Sequence, residues 1–127
     1  MIEGCVYYPL LMKSTVMNSN LTYEEFARID LRTGTITKVE EFPKARKPAF
    51  KAWPDFGTQI GVLQTSAQIT KRYTHDALVS KQILGCLGEK NIGGFVSQFL
   101  LCGFADDNGD ICLAVSDAKV PDGHRLY

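Results

Sequence analysis

Apolar and polar positions alternate along most of the chain, and only two short stretches depart from that two-residue rhythm. The first is near residue 22. Thr22 followed by Glu25 has the spacing of a capping box, with Leu21 placed as a hydrophobic staple, and predicts a short helix over 22–28. From Leu31 the pattern becomes that of a strand: Thr33, Thr35 and Thr37 alternate with Gly34, Ile36 and Lys38. A glycine inside such a strand predicts a tight bend or a close backbone approach. Residues 43–48, bounded by Pro43 and Pro48, read as a loop. Strands are then expected over 49–55 and 59–65, with a turn at 55–57. Pro54 cannot donate to a ladder, so its position must be a strand end, an edge or a bulge, and Trp53 is expected to face solvent, at a binding site or a subunit contact.

The second departure is at 69–81, which predicts a short helix with Thr74 and Asp76 as cap candidates. Strands follow over 82–87 and 97–105, separated by a glycine-containing loop at 89–94. Asp106 to Gly109 (DDNG) is a hairpin signal that pairs 110–115 with the preceding strand, and residues 121–123 make a last turn. The whole reads as an all-β domain: a five-stranded Greek-key barrel of the OB type, with a short helix between strands 3 and 4 and a short N-terminal helix. A β-sandwich or half-open roll has the same pattern.

The N-terminus, MIEGCVYYPLLMKS, is apolar, but Glu3 and Pro9 make it a poor signal peptide, and Met17 opens a more ordinary beginning. Residues 1–21 are therefore expected to be an extension, with 1–16 upstream of the usual start and the domain itself running over 22–127. No apolar run reaches membrane-spanning length.

Charge changes the picture through its distribution, because 14 basic and 14 acidic residues cancel. Residues 38–90 hold nine basic and five acidic side chains, whereas residues 91–127 hold two and five. One basic group is Lys38, Lys44, Arg46, Lys47 and Lys51; another is Lys71, Arg72 and Lys81, with Lys90 beyond it. Cations on loops beside a barrel face suit a phosphate backbone. Phe50, Trp53, Phe56 and Tyr73 are interleaved with them and could stack on bases. Solvated lysines and core aromatics produce the same pattern, so these features alone leave nucleic-acid binding open.

Chemistry of other kinds finds little support. His75 and His124 lie in no nucleophile or metal motif, and His75 is expected to be a solvated helix residue. No phosphate loop or dinucleotide fingerprint occurs. Cys5, Cys86, Cys102 and Cys112 lack zinc or redox spacing, and the last three, set in apolar runs, are expected to be core residues in a reducing cytoplasm. The chain is thus expected to be non-catalytic, with no cofactor and no metal.

Five motifs then carry a family resemblance: DLRTGTI (30–36), EEFPKARKP (40–48), DFG (55–57), SAQITKRY (66–73) and VPDG (120–123). In this order they closely resemble the CsaA-type tRNA-binding domain, which is similar to the C-terminal domain of methionyl-tRNA synthetases and to EMAP II-type cytokine domains. The resemblance covers residues 22–127, and SAQITKRY is its most specific part. It implies an OB barrel, a cytoplasmic homodimer, and binding of tRNA or another structured RNA. It also implies, as the alternative, chaperone-like binding of unfolded or precursor proteins linked to export.

Carried over residue by residue, the resemblance makes Lys44, Arg46 and Lys47 the basic loop, and Ser66, Gln68, Lys71, Arg72 and Tyr73 the signature. Lys71 and Arg72 would meet phosphates, while Ser66 and Gln68 would meet bases, ribose or a peptide backbone. Tyr73 suits stacking and packing alike. Lys38, Lys51 and Lys90 complete the expected RNA-binding set. Where many members place two basic residues ahead of their Ile-x-Gly-Phe stretch, this chain has Glu89-Lys90-Asn91, so one rim has lost positive charge. The apolar run 96–104 and the tail from Val115 are the candidates for a dimer contact.

Overall fold

The computed structural model describes residues 20–127, and the expectations for residues 1–19 lie outside that range. The N-terminal helix, α1 (Tyr23–Ala27), forms for the reason its sequence gives. Thr22 Oγ1 accepts from Glu25 N at 3.2 Å while Glu25 Oε1 accepts from Thr22 N at 2.9 Å, closing the capping box. After it come β1 (Leu31–Glu41), β2 (Phe50–Asp55), β3 (Thr65–Ala67), α2 (His75–Leu78), β4 (Gln82–Ile92), β5 (Phe95–Leu101), β6 (Gly103–Ala105) and β7 (Ile111–Leu113).

The first five strands make one antiparallel sheet in the order β3-β2-β1-β4-β5, with α2 between β3 and β4. The sheet rolls until its two edges meet. Gln98 N donates to Gln64 O at 2.8 Å, and side chains bridge the remainder: Thr65 Oγ1 donates to Phe99 O at 2.8 Å, and Ser97 Oγ accepts from Ser66 N at 3.0 Å. This is the OB arrangement expected, with a seam between β3 and β5 spanned mostly by side chains.

The inward positions of the strands fill the roll. Ile36, Phe56, Leu78, Ile83 and Phe99 are essentially fully buried. Gly34 and Gly85 admit the two central rings: a Cβ at Gly34 would lie 2.9 Å from Phe56, and one at Gly85 would lie 2.6 Å from Phe99. The close approach expected at Gly34 is therefore the ring of Phe56. Phe56 and Phe99 meet edge to face at 4.9 Å.

Several local expectations are corrected. Residues 59–65 are not a continuous strand, because Gly57 and Gly61, both at positive φ, close a tight turn in which Gly61 N donates to Gly57 O at 2.7 Å, and Val62 then makes only an isolated antiparallel bridge to Asp55. The strand starts only at Thr65. The loop expected at 89–94 shrinks to Gly93-Gly94, since β4 continues to Ile92. The strand expected over 97–105 breaks at Cys102 into β5 and β6, and the helix expected over 69–81 is a single turn capped by Thr74. Cys86, Cys102 and Cys112 are half-buried rather than in the core, and burial pushes the Cys102 thiol up. His75 is half-buried rather than solvated. Its ring lies edge-on to Phe50 at 4.8 Å, and its Nε2 is buried without a partner among the described residues.

The tail from Val115 returns to its own β1. Gly123 N donates to Thr33 O, Thr33 N to His124 O and Leu126 N to Leu31 O. Arg125 then reaches the carbonyls of Ala27 and Ile29 behind α1.

Candidate nucleic-acid interface

The β1–β2 loop (42–49) and the β4–β5 turn (93–94) project from one end of the roll, beside the seam. Phe42 anchors the first loop: it is buried at 4% exposure, and its ring sits 5.4 Å from Phe95, which follows the second turn. Between loop, turn and seam lies an open groove of about 760 Å³. Arg46, Lys47 and Lys90 supply its cations, Ser66, Gln68 and Ser97 its polar wall, and Phe42, Ile92, Leu100 and Ile111 its apolar floor. A second depression of about 480 Å³ shares Arg46 and Lys47 and extends to Thr70.

Five of the expected residues, Arg46, Lys47, Ser66, Gln68 and Lys90, thus converge on one groove, although they are far apart in sequence. Among the described residues, none of the three cations is in an ion pair, and all three are exposed. Ser66 stands in the seam with its Oγ 3.4 Å from Ser97 Oγ, so it presents a hydroxyl while its backbone N–H is already satisfied. Lys44 is exposed at the loop apex, and its carbonyl abuts the Gly93 turn. Lys51 adjoins the groove, its ammonium lying 4.8 Å from the centroids of both Phe42 and Phe95.

The remaining expected residues are elsewhere. Lys38 is on β1, paired with Glu40 at 2.8 Å, and the hydrogen bond from Lys38 holds the Glu40 carboxyl below its ordinary range. Lys71 is exposed and does not line the groove. Arg72 points toward the β6–β7 hairpin, where its Nη1 meets Asp106 Oδ2 at 2.9 Å. Burial works to raise the Asp106 pKa. The N–H groups of Asn108 and Asp110 and the Arg72 guanidinium outweigh it, so the carboxyl stays below its ordinary range. Tyr73 is half-buried, and its hydroxyl accepts from Leu113 N at 2.9 Å, which ties the signature stretch to β7. The ring packs against the core rather than standing free for a base. Phe50 and Phe56, also offered as stacking residues, are buried.

Neither Phe42 nor Phe95 was among the stacking residues expected from the sequence. Their signal is positional: each is the aromatic residue bordering one of the two loops that frame the groove.

Comparison with known proteins decides the family. A family model described as "Putative tRNA binding domain" matches residues 31–125. The chain belongs to the tRNA-binding domain family. This domain is similar in structure to the chaperone CsaA of Bacillus anthracis, with a TM-score of 0.79 and 38% identity over 86% of this chain and 100% of that one. The CsaA chaperone protein of Picrophilus torridus is comparable, at TM-score 0.77 and 37% identity over 84% and 99%. The methionine–tRNA ligase of Thermococcus onnurineus is 33% identical over 106 residues, which are 82% of this chain and 14% of that enzyme. The tRNA-binding domain therefore spans about one-seventh of the length of this ligase. Among the described residues no helix is long and apolar enough to cross a membrane.

Proposed function

We propose that this chain is a non-catalytic RNA-binding protein that takes tRNA or another structured RNA at the groove between the β1–β2 loop and the β4–β5 turn, acting in the cytoplasm as a homodimer. Residues 22–127 are the binding domain, and no cofactor takes part. The observation that carries this reading is the convergence of three unpaired cations, Arg46, Lys47 and Lys90, on a groove whose wall offers Ser66 and Gln68. The cations dock the phosphate backbone, and the neutral groups meet ribose or base edges. These two loops border the surface with which OB folds take oligonucleotides. Lys44, Lys51 and Lys71 add to the field around the groove; Arg72 contributes less, because Asp106 already neutralises it.

A second reading is favoured by the apolar floor of the groove and by the likeness to CsaA chaperones: an extended segment of an unfolded or precursor protein occupies the same place. Salt separates the two. Retention of tRNA on a filter should fall by orders of magnitude as salt rises several-fold, whereas capture of an apolar peptide should hold or strengthen. Sequencing the RNA that co-purifies with the protein identifies the partner, and a salt-insensitive affinity for tRNA would contradict the proposal. Light scattering at micromolar concentration tests the homodimer, which a monomeric mass would refute.

A further inference from the structure

The outer face of β1 and β2 carries an arrangement that docking of phosphates at the groove does not use. Opposite Trp53, β1 has two residues, Thr37 and Lys38, because the register shifts between Ile36↔Pro54 and Val39↔Ala52. This bulge changes the parity of the strand. Ile36 and Val39 both stay buried, and Thr37 and Lys38 both turn outward. Thr37 Oγ1 donates to Trp53 O, fixing the strand at the indole. Lys38 then lies with its ammonium 4.8 Å from the indole centroid. On the same face Trp53 meets Phe95 edge to face at 6.4 Å. Phe95 in turn touches Phe42 at the lip of the groove, with Lys51 over both.

We infer that Trp53 is a stacking platform for an unpaired nucleobase of the bound RNA, flanked by Lys38 and continuous with the groove through Phe95 and Phe42. This rests on the proposal that the groove binds RNA. Three features point to a base rather than to a phosphate. Glu40 sits beside Lys38 at 2.8 Å and opposes an anion there. The indole is only half-buried, and its partner Lys38 is a long exposed side chain that can yield its place to a base or lie against one. A row of rings interleaved with ammonium groups is the composition with which proteins hold single-stranded nucleic acid without reading its sequence. The site therefore takes a single-stranded nucleotide, such as a loop or end base of a folded RNA, and not a duplex.

Trp53 is the only tryptophan of the chain, so its emission reports this site alone. The test titrates the full-length protein with three probes: tRNA, an unstructured 12-nucleotide RNA (a length of roughly one OB-fold site) and a blunt RNA duplex. The single strand and tRNA should quench Trp53 emission by about half or more through stacking, and the duplex should bind the groove with little quenching. Trp53→Leu should weaken single-strand binding about ten-fold, the loss of one stacked base, without changing its salt dependence, and Trp53→Phe should recover most of the loss. Unchanged emission at saturating single-stranded RNA overturns the inference, as does equal quenching by the duplex. This holds whether or not Trp53→Leu folds, since the wild-type protein alone gives the reading. If tRNA binds in a salt-dependent way but Trp53 emission and Trp53→Leu affinity are unmoved, only the platform fails. If no RNA binds at low salt, the platform and the proposed function both fail.

Discussion

Replacing Arg46 and Lys47 with alanine removes two of the three unpaired groove cations and leaves the core untouched, since both side chains are exposed in the β1–β2 loop. Each cation that meets a phosphate contributes ~0.9 to the log–log salt slope on a duplex and ~0.7 on a single strand. The double variant should therefore flatten the slope by about 1.4 to 1.8 and weaken tRNA binding about 25- to 60-fold at ~0.1 M salt. At ~0.4 M the loss should shrink to about four- or five-fold, because fewer counterions are released to advantage. Arg72→Ala is the internal comparison. Its guanidinium is held by Asp106 at 2.9 Å, so releasing it frees a carboxylate instead of vacating a phosphate site, and the slope should hardly change. The assay is filter retention of labelled tRNA from ~0.05 to ~0.5 M salt. If Arg46→Ala/Lys47→Ala keeps the wild-type slope while Arg72→Ala flattens it, the groove has been assigned to the wrong face.

Other outcomes follow from packing and protonation. Gly85→Ala should destabilise the domain by about 1–3 kcal/mol, because the new methyl would sit 2.6 Å from Phe99. Gly88→Ala meets nothing within 4 Å and should melt close to wild type. Tyr73→Phe removes the acceptor of Leu113 N and should cost about 1 kcal/mol in thermal denaturation while leaving tRNA affinity unchanged; a specific loss of affinity would restore Tyr73 as a binding residue. The Glu40 carboxyl should titrate below an ordinary glutamate in NMR experiments and return toward it in Lys38→Met. Because its pKa is lowered by folding, its contribution to stability is present above the ordinary carboxylate range and is lost as pH falls through the folded value.

What could be read from the sequence was what depends on neighbours in the chain. The Thr22–Glu25 cap, the Thr74 cap, the DDNG hairpin and the alternation of Thr33 and Thr35 against Gly34 and Ile36 all rest on contacts a few residues apart, and all are present. Residues 59–65 misled because Ile60, Val62 and Leu63 look like a strand, while Gly57 and Gly61 turn the chain through Ile60 and leave Val62 only an isolated bridge to Asp55. The candidate site was legible as composition but not as geometry. Nothing local distinguishes Lys47, which faces the groove, from Arg72, whose charge is taken by a residue 34 positions later. Lys90 joins Arg46 only because β1 pairs with both β2 and β4. Lys38 and Trp53 face each other because of a bulge for which Pro54 was the only hint.

The contact of Arg125 with the carbonyls of Ala27 and Ile29 brings the last residues of the fold against its first helix. The polypeptide therefore arrives at the domain and leaves it at the same place. A unit built in this way can be spliced to another protein through either terminus, or inserted between two domains, with short connectors and no detour around the roll. The groove and the tryptophan face are built by β1–β5, the loops between them and Ile111 of β7, and not by what is attached at the junction. The same architecture can thus be carried within a much longer protein, and the groove need not be redesigned for that setting.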